Sequence, residues 1–60
     1  MLEVAATALT EGEEFTKDQG ETWLKVKVVR TSDRARRVIV IDTNGKEHQL
    51  RFTQMVIVRV

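Results

Sequence analysis

The chain is expected to fold as an all-β domain, a small barrel of about five short antiparallel strands. Three observations carry that expectation. After residue 20, Val, Ile and Thr accumulate and the apolar spacing is close to two, the period of a strand with one covered face. Asn44-Gly45 lies between two such runs and is the dipeptide that best supplies a tight hairpin turn. Gly12, Gly20 and Gly45 stand singly between apolar runs, and no Pro, repeat or low-complexity tract divides the chain. Strands this narrow cannot each hide a face, and closing them into a barrel removes most of their exposed edges.

The elements follow in order. Residues 3–10 read as an extended segment or, by the content of Ala5, Ala6 and Ala8, as a short helical turn, and the extended form is favoured. A turn at Thr10-Glu11-Gly12-Glu13 leads to a short strand over residues 14–17. Asp18-Gln19-Gly20-Glu21 then turns the chain, with Gly20 at the left-handed position. Over residues 23–30, alternation puts Leu24, Val26 and Val28 on the core face and Trp23, Lys25, Lys27 and Val29 on the other. Residues 37–42 are apolar on both faces. After Asn44-Gly45, with both residues at positive φ, alternation resumes over 46–52, where His48, Leu50 and Phe52 share a face. A break at Thr53-Gln54 precedes a last strand, 55–60, in which Val56, Val58 and Val60 line up.

With Leu9-Thr10-Glu11-Gly12-Glu13-Glu14-Phe15 ahead of Trp23 opening a strand, then Asn44-Gly45 and a Val-rich end, the order of elements resembles small SH3-like barrels of the Tudor and KOW kind. The likeness spans most of the chain and rests on element order alone. It implies a non-enzymatic binding fold used on nucleic acid, ribosomal or peptide partners. No functional motif of that family is legible, so no residue role transfers.

Sixty residues make one domain, 1–60, and a chain this short buries only about 60% of the surface its unfolded form exposes. Small domains offset that with disulfides, metals or oligomerisation. There is no Cys and a single His, His48, so neither a disulfide nor a metal cofactor is expected, and self-association is. The start, Met1-Leu2-Glu3-Val4, lacks the basic and apolar regions of a signal peptide, and no apolar run approaches the ~20 residues of a membrane helix. A soluble, cytoplasmic protein with no membrane partner is expected.

Charge is divided unevenly. Residues 1–22 carry six acids against Lys17 alone, whereas residues 23–60 carry nine bases against three acids, so the net charge of +1 conceals two oppositely charged parts. Such polarity points to a polyanion on the basic part or to another copy meeting it head to tail. The basic connection Arg30-Thr31-Ser32-Asp33-Arg34-Ala35-Arg36-Arg37 is the sharpest local feature. Arg suits phosphate because its planar fork donates two parallel hydrogen bonds, so Arg30, Arg34, Arg36 and Arg37 are candidate phosphate ligands. The alternative is a solvated loop that guards a strand edge. Trp23, Lys25 and Lys27 form a second candidate, a stacking platform beside two cations, against the plainer reading of Trp23 as core. Val29, Ile39, Ile41, Met55 and Ile57 are a third. Alternation sends them away from the core, which marks them as a homo-oligomer interface or as partly buried by curvature.

Catalysis has little to stand on. Ser32 is the only Ser, His48 has no ligand-spaced partner, and the acids at 11, 13 and 14 lie in a turn-rich run that is expected to be solvated. The protein is therefore expected to be a non-catalytic binding module for nucleic acid. The competing expectation is protein–protein interaction or a homo-oligomeric accessory, of the size a virus or mobile element encodes.

Overall fold

The computed structural model describes residues 2–59, so Val60 of the expected last strand lies outside the described residues. The fold is all-β. Six antiparallel strands, β1 (Leu2–Ala5), β2 (Glu14–Thr16), β3 (Leu24–Ser32), β4 (Arg37–Asp42), β5 (Glu47–Arg51) and β6 (Met55–Arg59), form one sheet in the order β1-β6-β2-β3-β4-β5. Among the described residues no ladder joins β1 to β5, so the sheet is open.

The N-terminal segment combines both expected forms. β1 is extended and pairs with β6, and a 3-10 turn over Ala6–Ala8 follows. Ala6 is fully buried and its N–H donates to the Gln54 carbonyl at 2.9 Å, so a small side chain lets the backbone turn directly over the core. Leu9 then plugs the end of that core.

The open sheet is bent back on itself. The Phe15 ring of β2 meets the His48 ring of β5 edge to face, with centroids 6.4 Å apart. Three ladders separate these strands in the sheet order, which in a flat sheet means about 14 Å. Side chains from both halves therefore share one core: Phe15, Val26, Val38, Val40, Leu50, Val56 and Val58, with Ala6 and Leu9.

Two local features differ from the alternation. β3 carries a bulge at Lys27, since Val26 pairs with Asp42 but Val28 pairs with Ile41. The bulge inverts the phase of the strand, as an extra residue must. Val29, expected on the outer face, lies opposite the buried Val40 and packs on the core, while Val28, expected in the core, lies outside with Ile41. The β4–β5 hairpin is where it was expected, but only Gly45 has positive φ, at 85°. The Asp42 carboxylate accepts the N–H groups of Asn44 at 2.9 Å and Lys46 at 3.0 Å, while the Gly45 N–H donates to the Asp42 carbonyl. This stabilises a normal turn followed by a left-handed glycine, and Asn44 has no need of positive φ. Among the described residues no helix is long and apolar enough to cross a membrane.

Candidate nucleic-acid interface

The far end of the β4–β5 hairpin gathers the basic side chains. The register puts Arg37 directly opposite Arg51, and beyond Arg37, across β3, lies Ser32. Arg36 precedes Arg37 in the β3–β4 turn with φ 52°, a left-handed conformation that costs a non-glycine residue about 1 kcal/mol or more. These three Arg, with Phe52 and Thr53, line an open cleft of about 580 Å³. Phe52 is half-buried, one side against the core and the other in the cleft.

Like charges directly opposite on neighbouring strands are destabilising. No carboxylate among the described residues comes within ion-pair distance of this pair. Among the described residues the only guanidinium–carboxylate pair is Glu14 with Arg59, and Asp42 meets His48 at the other end of the hairpin. One Arg37 Nη instead donates to the carbonyls of Ala35 at 3.3 Å and Arg36 at 3.2 Å. Three guanidinium groups around an aromatic ring thus lack an anion. The chemistry this suits is binding a planar or tetrahedral oxyanion, with the ring available to a base or sugar.

The structure assembles part of the expected basic site. Arg36 and Arg37 enter the cleft, and Arg30, a diagonal neighbour of Arg37 on the outer face of β3, extends it. Arg34 is exposed in the same turn but outside the cleft. Lys25 lies beside Glu14 on β2, and Lys27 occupies the bulge. Trp23 stands nine residues of chain from Ser32, about 30 Å when extended. It is half-buried, and the Arg59 guanidinium covers its ring at 4.0 Å from the centroid while also facing Glu14 at 3.9 Å. One face of the expected stacking platform is therefore occupied from within the chain.

Arg51 was missed because a two-residue turn at Asn44-Gly45 would pair Thr43 with Lys46 and set Arg37 against Phe52. The observed register, with a three-residue loop over 43–45, sets Val38 against Leu50 and Val40 against His48, joining buried with buried. Matching the two alternations across the turn was the signal that would have found Arg51.

The five apolar outer-face candidates divide. Val29 is inside. Ile39 and Ile41 are half-buried on the outer face of β4, and Met55, exposed, and Ile57, half-buried, lie on the outer face of β6. Since the inner faces of these strands meet in one core, the two pairs point away from each other.

The opposite end of the hairpin is self-satisfied. His48 Nε2 meets Asp42 Oδ2 at 2.8 Å, and both side chains are buried. Hydrogen bonds from His48, then from the Lys46 and Asn44 backbone, hold the Asp42 carboxyl below its usual range. In the β2–β3 turn the Thr16 hydroxyl, followed by the Thr22 N–H, does the same for Asp18. Among the described residues no group of three or more acids or histidines is placed to hold a metal ion. No family model, no curated protein and no solved structure matches this chain.

Proposed function

We propose that the protein is a non-catalytic binding module of the small SH3-like barrel kind that grips the phosphate backbone of nucleic acid. Arg36, Arg37 and Arg51 are the principal ligands, with Arg30 and Arg34 extending the track. The observation that carries this reading is the Arg37–Arg51 cross-strand pair, which no carboxylate among the described residues contacts as an ion pair, beside a third Arg in a left-handed turn. A phosphate would relieve a repulsion that the fold otherwise tolerates. The bent-back sheet supports the barrel reading, with β2 to β5 in sequential order and β6 beside β2.

The test is a titration of end-labelled oligonucleotides, single- and double-stranded, read by anisotropy at ~50 and ~200 mM salt, where counterion release weakens a multi-phosphate contact steeply. Changing Arg36, Arg37 and Arg51 together to Ala is expected to lower affinity by about 100-fold and to reduce the salt slope by about 2–3. Trp23 emission is expected to change little, since Arg59 already covers that ring away from the cleft. Unchanged affinity in the triple variant overturns the reading.

A second reading follows from Val28, Ile39 and Ile41, half-buried on one outer face beside Arg30 and Arg37. This face would meet the acidic N-terminal third of a second copy, giving a homo-oligomer that offsets the small core. Ile39→Glu is then expected to yield a folded monomer, with mass in solution as the readout. A wild-type protein that is already monomeric at high concentration rejects this reading and leaves the first untouched.

A further inference from the structure

Away from the Arg cleft, Lys17, His48 and Asp42 form a chain of three groups along one side of a pocket of about 270 Å³. Asp42 Oδ1 accepts two backbone N–H groups and Oδ2 faces His48 Nε2, so this carboxylate is an acceptor throughout and Nε2 carries the donated proton. In that tautomer His48 presents its lone pair at Nδ1, and Lys17 Nζ lies 3.2 Å away, donating to it. The ring cannot swing aside, because Phe15 packs on it edge to face and only 7% of the residue is exposed. An exposed amine beside a fixed imidazole, itself oriented by a buried carboxylate, is the arrangement that activates a nucleophile.

We propose that Lys17 is a reactive amine whose pocket captures small anionic carbonyl compounds as imines. Lys17 Nζ gives a proton to His48 Nδ1, and the imidazolium is stabilised by Asp42. The freed lone pair attacks the carbonyl carbon while the carbonyl π electrons move to oxygen, and a proton passes from nitrogen to that oxygen. His48 returns its proton to the hydroxyl, one water leaves, and the nitrogen lone pair closes the C=N bond. The product is an iminium with the same single positive charge as the starting ammonium, and His48 ends neutral as it began. Lys46 on the pocket wall would pair with an anionic substituent, against the charges of Asp18 and Asp42. Asp18 and Asp42, also lining it, already direct their oxygens to Thr16, Thr22, His48 and backbone N–H groups. Leu24 supplies an apolar side for the carbon skeleton.

The probe is pyridoxal 5′-phosphate, an anionic aldehyde, trapped by borohydride and located by peptide mass mapping. In folded protein Lys17 is expected to label about tenfold faster than Lys25 and Lys27, a modest share of the 10²–10⁴-fold that a positioned base contributes. That preference should vanish in concentrated urea, where the four lysines become equivalent. His48→Gln is expected to bring Lys17 down to the rate of Lys25, and if that variant does not fold, the comparison of native with urea-unfolded wild type carries the test. Even labelling in the native state, or a Lys17 preference that survives urea or a folded His48→Gln, overturns the proposal. Pyridoxal without its phosphate reacting equally fast removes the anionic preference.

Discussion

The two ends of the β4–β5 hairpin, about 17 Å apart along β4, are built on opposite principles. At the turn end the buried polar groups are answered: Asp42 takes His48 and two backbone N–H groups, and His48 takes Asp42 and Lys17. At the other end Arg37 faces Arg51, Arg36 sits in an unfavourable left-handed conformation, and among the described residues no carboxylate, Asp33 of the same turn included, comes within ion-pair distance of them. A small domain with marginal stability gains from the first arrangement and loses from the second. Charges left opposed at some cost to stability mark a surface completed from outside.

The comparison can be broken most severely from the turn end. Phe15→Ala removes the ring that packs on His48 and sits at the centre of the core. Such truncations cost about 3–5 kcal/mol, comparable to all that a core of this size supplies, so loss of a cooperative melt is expected. A variant that melts within a few degrees of wild type would show that the turn end is not the anchor.

A milder change separates charge from packing. Asp42 and Asp18 both have folded-state pKa values depressed below the ordinary value, so both contribute stability that is present above pH ~4 and lost as pH falls through their lower folded values. Asp42→Asn is expected to lower the denaturant midpoint at neutral pH and to flatten the acid limb of the midpoint-against-pH curve. The residual slope belongs to Asp18 and the other carboxyls. An acid limb as steep as that of wild type would mean that Asp42 is not held as a carboxylate by His48 and the turn.

The smallest effect sharpens the contrast from the Arg end. Arg36→Gly places at φ 52° a residue that adopts this conformation without a Cβ penalty, and about 0.5–1 kcal/mol of stabilisation is expected, less the added freedom of the unfolded chain. Thermal unfolding measures it. The same variant is expected to bind oligonucleotides more weakly, so stability and affinity move in opposite directions. A variant that loses both would place Arg36 with the structural residues instead.

Much of this was legible before folding. The period-two runs and the doubly apolar run over 37–42 located β3 to β6, the acid–base division separated the two parts of the chain, and Gly45 marked the hairpin, because these depend on local backbone preference and on which residues avoid water. The Arg30–Arg37 segment was also visible as a basic connection. Three decisions lay beyond local pattern. The bulge at Lys27 exchanges Val28 with Val29, and two adjacent valines carry no sign of which one turns inward. The side chain of Asp42 selects the turn, and the turn selects whether Arg37 meets Arg51 or Phe52. The bend that brings Phe15 onto His48 places Ile39 and Met55 on opposite flanks and sends Trp23 to Arg59 instead of the Arg cleft. Composition and periodicity act within a few residues, so the sequence by itself determined the all-β class, the hairpin and the charge polarity. Register and curvature are set by contacts between residues distant in the chain, which is why folding in three dimensions settles which arginines share a site and which lysine meets the one histidine.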